Sequence, residues 1–426
     1  MIAVLFISVC IFFALGIPIS FAVGLASLIA ILYNGTIPLM MFVQKLAVGT
    51  DSFSLLAIPF FVLAGDLMNT GGITRRLIKF AGTLVGHIPG GLAMVNVITS
   101  MIFGGISGSA ISDTATVGSI LIPAMHKQGY DMPFSVGLTA ATSVIAPLIP
   151  PSIPFVIYGL VAEVSIGKLF LAGAVPGILM GLFFLVTVYF LAIRRHYPKN
   201  EKRATVREMV NAFYQALPAL FMPIIILGGI LSGVFTPTEA SAVAVVYAII
   251  IGTFVYRELT WANFTTILLT SARISAIIML IVGCANVFGW LLAFERIPLK
   301  IGTLIFAFTQ DPMVYMFLIN IVFLVVGMFM GATEAIIIFT PIFLPIAKSM
   351  ALDPVYFGAV MVLNLMIGLL TPPVCACLSL AAKIGRITLD EAFKAVIPML
   401  IVDLFLLGLV TYIPAISLWL PRLFFG

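Results

Sequence analysis

Charge is scarce in this chain. Of its 426 residues only 9% are Asp, Glu, Lys or Arg, against roughly 25% in soluble domains, which excludes an ordinary water-facing surface. Histidine occurs three times, and His87, His126 and His196 are too scattered for an imidazole metal centre. The four cysteines (Cys10, Cys284, Cys375, Cys377) lie in apolar stretches without disulfide or zinc spacing. Cys375 and Cys377, two apart, face away from each other on a helix and read as small packing residues. No nucleophile stands beside a base in a polar motif, which argues against an enzyme. No phosphate-cradling G-x-x-x-x-G-K-[ST] loop appears, so ATP is not the expected energy source. A β-barrel is excluded as well, because alternating segments of about 10 residues are missing. Instead the chain is 62% hydrophobic, with charge-free runs over 132–162, 169–193, 209–238 and 354–382. Each exceeds the roughly 20 residues that cross a bilayer as a helix. The reading is an all-α integral membrane protein. The first apolar stretch lacks a basic leader, so no cleavable signal peptide is expected.

The net charge is +5. In an apolar chain this reflects basic residues retained in cytoplasmic loops rather than affinity for nucleic acid. The strongest polar stretch, from Arg194 to Arg207, divides the chain nearly in half and is expected to be a cytoplasmic linker over 196–210.

Two passages on either side of it match. Gly105 opens G-I-S-G-S-A-I-S-D-T-A-T and leads to Pro150-Pro151; Gly327 opens G-M-F-M-G-A-T-E-A-I-I-I and leads to Pro372-Pro373. Gly105/Gly327, Pro123/Pro345, Asp131/Asp353, Pro150/Pro372 and Pro176/Pro398 share one offset of 222. Such a repeat, with small and helix-breaking residues inside apolar segments, is the pattern of a secondary transporter with broken helices and a midplane site. Repeat 1 (1–195) divides into scaffold helices 1–70, an amphipathic interfacial arm 71–87, a re-entrant hairpin 88–127, a broken helix 133–161 and a helix 169–193. Within its scaffold, a span over 53–68 is expected to extend a helix that starts near Ile37. Repeat 2 (211–426) divides into scaffold helices 217–293, an arm 294–311, a hairpin 313–348, a broken helix 355–382 and a helix 392–418. An odd number of crossings per repeat inverts the second against the first. Anchoring the linker inside puts both termini outside, although Arg296, Lys300 and Lys348 then fall outside too.

The hairpin tips carry the candidate chemistry. Non-helical backbone survives at membrane depth only against protein or a wet cavity, and its carbonyls, with neighbouring hydroxyls, are hard ligands for a small cation. A first sodium site is expected from Ser107, Gly108, Ser109 and Asp113 against Ile149, Pro150, Pro151 and Ser152. A second is expected from Gly327, Gly331, Thr333 and Glu334 against Gly368, Thr371, Pro372 and Pro373. The acids are not equivalent: Asp113 aligns with Ala335, and Glu334 with Ser112. Half-helix N-termini at the same place favour an anionic substrate. Glu239, in T-P-T-E-A-S, reads as a first-turn helix acid. Two unlike hairpins suit an occluded site better than a continuous pore.

At G-G-I-S-G-S-A-I-S-D-T-A-T-V-G, A-P-L-I-P-P-S-I-P, G-V-F-T-P-T-E-A-S-A-V-A and L-L-T-P-P-V, the chain resembles the large membrane (DctM-like) subunit of tripartite ATP-independent periplasmic transporters. The motifs span both halves, and the length resembles that of a standalone large subunit. The resemblance implies an elevator-type, sodium-coupled importer of organic acids in a bacterial inner membrane. It implies a small four-helix membrane subunit and a periplasmic substrate-binding protein as partners. It places the substrate between the tips, against Ser109, Ser112, Thr114, Ser152, Ala332 and Thr333. As a whole sequence the chain resembles the sialic acid branch most, with C4-dicarboxylate as the next cargo. The competing expectation is a self-sufficient sodium- or proton-coupled carboxylate carrier that needs no binding protein.

Overall fold

The computed structural model describes residues 1–199 and 203–426. Asn200, Glu201 and Lys202 of the expected linker lie outside the described residues. The first half forms α1 (Ile2–Ala14), α2 (Ile19–Asn34), α3 (Leu39–Thr50), α4 (Ala57–Thr70), α5 (Ile73–Val85), α6 (Gly91–Ser107), α7 (Ala110–Lys127), α8 (Met132–Ser143), α9 (Ile153–Ala162) and α10 (Ile166–Arg194). The second half forms α11 (Val206–Leu231), α12 (Pro237–Ile250), α13 (Trp261–Phe294), α14 (Ile297–Phe308), α15 (Pro312–Phe329), α16 (Ala332–Ser349), α17 (Pro354–Gly368), α18 (Ala376–Gly385), α19 (Leu389–Tyr412) and α20 (Ala415–Phe425). No strand occurs among the described residues, and eight helices are long and apolar enough to cross a membrane.

The punctuation sets these bounds. Asp131 and Asp353, 222 apart, both stand just before helices with proline in the first turn, where a missing N–H costs nothing. Thr205/Glu208, Thr236/Glu239 and Thr388/Glu391 close reciprocal capping boxes at the starts of α11, α12 and α19. Glu239 is thereby a helix-start acid.

Three expected boundaries are corrected. The linker drawn to residue 210 stops at Thr205, because the Thr205–Glu208 box starts α11 there. The helix drawn from Ile37 through Met68 is interrupted at Asp51 and Ser52, whose backbones leave the helical region before a short 3-10 turn at Phe53–Leu56; Gly49-Thr50-Asp51-Ser52 is a helix-poor run. The single helix drawn over 392–418 is two, α19 and α20. Ile413 precedes Pro414 and takes φ −124°, ψ 78°, as the pyrrolidine ring disfavours helix at the preceding residue.

The helices pack as two groups. In one, α4 lies against α12, and α13 against α2, α3 and α4, with α11 bridging α5 and α12. In the other, the halves interdigitate: α18 packs on α7 and α8, and α9 on α16 and α17. Each broken helix thus sends its second piece against the opposite hairpin. The groups meet along α4/α6, α4/α9, α6/α11 and α13/α16. A ring of edge-to-face contacts, Phe343 and Phe357 on Phe323, fills the second hairpin's base. Large apolar side chains such as Phe190, Leu269, Ile277 and Phe405 point outward, as lipid-facing positions do.

Arm α5 buries Ile73, Leu77 and Ala81 and carries Arg75, Arg76 and Lys79. Arg76 Nη1 donates to Glu258 Oε1 at 2.7 Å, and its guanidinium lies 3.9 Å from the Tyr256 ring centroid. Both partners belong to the turn after α12, so Arg76 clamps the arm to the first group. Arg76→Ala is expected to cost about 1–2 kcal/mol. Thermal unfolding in detergent checks this, with exposed Arg75→Ala expected to change little.

Candidate functional site

Each hairpin turns within two residues. Gly108 ends α6 at φ 59° and Ser109 caps α7, its hydroxyl accepting from the Ser112 N–H at 3.4 Å. A Cβ on Gly108 would run into the Pro151 carbonyl, so glycine is required twice there, by conformation and by space. Met330 and Gly331 make the second turn, and Gly331 begins α16 without a side-chain cap. The breaks facing them contain cis Pro150–Pro151 and cis Pro372–Pro373. Ser152 caps α9 through the Phe155 N–H at 3.3 Å. The Val374 N–H donates to the Met328 carbonyl at 3.1 Å, tying the second break to the second hairpin.

Backbones touch at nearly matching positions in both copies, Gly104 and Gly327 being 223 apart, one residue off the repeat offset. A Cβ on Gly104 would lie 2.6 Å from Ala146 Cα, and one on Gly327 would lie 3.0 Å from Gly368 Cα. Ala146 and Gly368 are 222 apart. Hairpin and broken helix therefore form one rigid unit in each repeat.

Between the tips lies a cavity of about 270 Å³. Ser107, Gly108, Ser109 and Ser112 line it from hairpin 1, and Gly331, Ala332, Thr333 and Glu334 from hairpin 2. Pro147, Ile153, Pro154 and Ala376 come from the breaks; Val62, Asp66, Ile274 and Ile278 come from α4 and α13. First-turn residues of α7, α9, α16 and α18 all reach the wall, so four half-helix N-termini converge. Among the described residues the wall carries two carboxylates, Asp66 and Glu334, and no Lys, Arg or His.

The expected residues separate into groups. Ser107, Gly108, Ser109, Ser112, Gly331, Ala332, Thr333 and Glu334 share the cavity wall. Pro150 and Pro151 lie behind tip 1: a Cβ on Gly105 would stand 3.5 Å from the Pro150 carbonyl oxygen. Ile149 is half-buried and stacks behind them, in reach of Gly177. Gly327 and Gly368 are the backbone contact described above. Thr371 donates to the Ile367 carbonyl at 3.1 Å and Pro372 and Pro373 follow it, none of them on the cavity wall. Two residues expected against the substrate lie off this wall. The Thr114 hydroxyl is buried and donates to the Ala110 carbonyl at 2.9 Å, and Ser152 is buried behind its capping bond. Neither faces the cavity.

Asp113 also turns from the cavity. Ser100 donates to its Oδ2 at 2.8 Å, while its Oδ1 has no partner. Around it Asn96 donates to Thr139 at 2.6 Å, and Thr142 donates to Asn96 at 2.8 Å, a hydroxyl-rich pocket between α6, α7 and α8. An ionised carboxylate with a free oxygen among hydroxyls fits a small hard cation.

Asp66 escaped the sequence reading. It stands on α4, accepts from Ser271 of α13 at 2.7 Å and brings the first helical group into the cavity. The signal was present: a lone acid inside the apolar run of α4 is a functional candidate by default.

Unbroken apolar helices, paired re-entrant hairpins and a cavity at facing helix breaks define a membrane carrier. The chain belongs to the family of the tripartite ATP-independent periplasmic transporter, DctM component, whose model matches residues 6–416. It is 44% identical to the uncharacterized protein YgiK of Salmonella typhimurium, over 99% of this chain and 98% of that one. It is 41% identical to the sialic acid TRAP transporter large permease SiaM of Vibrio cholerae, over 96% of each chain. The C4-dicarboxylate large permease DctM of Pseudomonas aeruginosa is also 41% identical, over 94% of each. Among solved structures, the Alcanivorax borkumensis YdaH transporter shares the fold at TM-score 0.62 and 14% identity, covering 91% of this chain and 88% of that one. The protein is a multi-pass membrane permease subunit, not an enzyme.

Proposed function

We propose that this protein is the transport subunit of a bacterial inner-membrane, sodium-coupled importer of an organic acid. It works with a small four-helix membrane subunit and a periplasmic binding protein. Its α6–α10 and α15–α20 group carries the cavity across as an elevator past the α1–α5 and α11–α13 group. One observation carries the reading: a cavity bounded by two hairpin tips, with first-turn residues of four half-helices on its wall and no basic side chain there among the described residues. Such a site holds an anion by backbone dipoles and bound cations together. The two cation sites are the Asp113 pocket with the Pro150–Pro151 break, and the Glu334 turn with the Gly368–Pro373 break.

Sialic acid is the preferred cargo. The wall offers the hydroxyls of Ser107, Ser109, Ser112 and Thr333 and the carboxylates of Asp66 and Glu334. Those carboxylates accept from the hydroxyls of a sugar acid and repel the second carboxylate of a C4-dicarboxylate. The test is uptake of radiolabelled sialic acid into proteoliposomes holding this protein and its small partner, under an inward sodium gradient. Uptake is expected only with both sodium and binding protein. Uptake without binding protein would replace the tripartite reading with a self-sufficient carrier. Succinate uptake without sialic acid uptake would replace the cargo.

A further inference from the structure

A second cavity, of about 450 Å³, lies next to the first along the same four helices. Val62 of α4, Ile153 of α9, Ile278 of α13 and Thr333 of α16 line the first. Ile58, Ile157, Val282 and Ile337 of those helices line the second. Each is four residues from its counterpart, so the two walls are stacked about one turn, or about 6 Å, apart. Helix α4 steps backward in sequence where the other three step forward, as an element antiparallel to them must. Between the spaces lies a collar of buried Val and Ile side chains, Val62 and Ile278 among them.

The second cavity sits at one end of the molecule. Glu163 on its wall stands just before α10. That helix runs 29 residues, about 43 Å, to Arg194 in the basic stretch. The cavity is therefore at the end opposite the basic stretch, which the positive-inside rule makes the outer one.

Its chemistry differs from that of the first. Lys45 of α3 lines it, with Asn286 and Trp290 of α13. The Lys45 Nζ lies 5.7 Å from the Trp290 ring centroid and takes part in neither ion pair found among the described residues. Its backbone is fixed, because Asn286 donates to the Lys45 carbonyl at 2.7 Å. A Cβ on Gly49 would fall 2.6 Å from Asn286 Cβ, so α3 and α13 are pressed together here. A half-buried ammonium without a counter-ion, over an indole face, is one strong point of attachment for a carboxylate. The apolar collar side and the Glu163 carboxylate are left for the body and hydroxyls of the same molecule.

We propose that this cavity is an antechamber, in which Lys45 takes the carboxylate of an incoming organic anion before it passes the collar to the hairpin tips. That it feeds the first cavity rests on the transport reading above; the anion site itself does not. Lys45 belongs to the α1–α5 and α11–α13 group, whereas α9 and α16 belong to the other. The ammonium stays behind when the tips move, so it captures cargo without being carried.

Two measurements test it. Trp290 is one of three tryptophans, and the other two, Trp261 and Trp419, are exposed. Trp261→Phe with Trp419→Phe therefore leaves Trp290 as the sole reporter in the detergent-purified protein. In sodium-free choline chloride, sialic acid and succinate should each change its emission saturably, and N-acetylmannosamine, a neutral sugar, should not. Lys45→Met should weaken the apparent affinity at least about tenfold, the worth of one hydrogen bond to a charged group, and Lys45→Arg should restore most of it. No response to either carboxylate, an equal response to N-acetylmannosamine, or an unchanged affinity in Lys45→Met overturns the anion site. If Lys45→Met lowers the unfolding midpoint, the wild-type contrast between sialic acid and N-acetylmannosamine decides alone. The second measurement is uptake into proteoliposomes with the partners present. At sub-saturating loaded binding protein the initial rate in Lys45→Met should fall about tenfold, while the saturating rate stays within about twofold. Equal rates at every concentration overturn the antechamber role. A Trp290 response that Lys45→Met loses, with no uptake of any cargo by the wild type, would keep the anion site and discard the transport reading instead.

Discussion

Gly368→Val is expected to abolish uptake by at least about tenfold and to lower the unfolding midpoint, while Gly408→Ala changes neither. A Cβ on Gly368 would lie 2.5 Å from Gly327 Cα, 2.6 Å from its carbonyl carbon and 2.7 Å from its oxygen. These are backbone atoms of the opposing hairpin and have no rotamer to yield. Relief requires the two helices to separate, which costs about 1–3 kcal/mol for an overpacked core and more where it also breaks the Val374–Met328 tie. Separation there moves Gly331 and Glu334 off the cavity wall, so function should fall further than stability. Gly104→Val presses on Ala146 in the same way and should produce a matching loss. At Gly408 an added Cβ meets nothing within 4 Å, and alanine in a helix is favoured over glycine by about 0.5–1 kcal/mol. Uptake assays and thermal melts of the three variants check the contrast. Normal uptake by Gly368→Val would show that the hairpin and its broken helix are not one rigid unit.

That contact shows why much of the architecture was legible. Glycine and proline in apolar segments state a backbone requirement directly, and the offset of 222 exposed both copies at once. Asp131, Asp353 and the T-x-x-E boxes mark helix starts in the same local way. The corrected boundaries are local too, since Pro414 and the Thr205–Glu208 box mark them in the sequence itself. What could not be read was non-local. Nothing in 153–162 says that α9 lies against α16, so the mixing of the repeats around the cavity is a property of packing. Asp66 and Asp403 carry no motif: Asp66 is the one acid of α4, and Asp403 stands alone in the apolar middle of α19. Only burial and neighbours separate them: one faces the cavity and bonds Ser271, the other is sealed away without a partner. Thr114 and Ser152 differ in the opposite sense: their residue type and position suited a ligand, but each hydroxyl bonds its own helix backbone and lies off the cavity wall.

An organic anion is expected to bind this site only with sodium present, its affinity falling about 100-fold when sodium is replaced by a bulky organic cation. Each helix N-terminus acts as roughly half a positive charge, so the four that meet at the cavity amount to about +2. Asp66 and Glu334 oppose them with about −2, leaving an incoming carboxylate with almost no net attraction. A sodium ion about 6 Å away contributes about 3 kcal/mol at an effective dielectric constant of 20, which is close to two decades in affinity. Equilibrium binding of labelled sialic acid to the purified permease, across sodium concentrations, measures this. The two acids should behave differently. Asp66→Asn removes a repulsive charge on α4 without touching a hairpin tip, so sodium-free affinity should rise while sodium dependence persists. Glu334→Gln alters the tip that holds the second cation, so binding should lose its steep dependence on sodium. Equal affinity with and without sodium in the wild-type protein would mean that the helix dipoles suffice, and the cation sites at the hairpin tips would then have no role in holding the cargo.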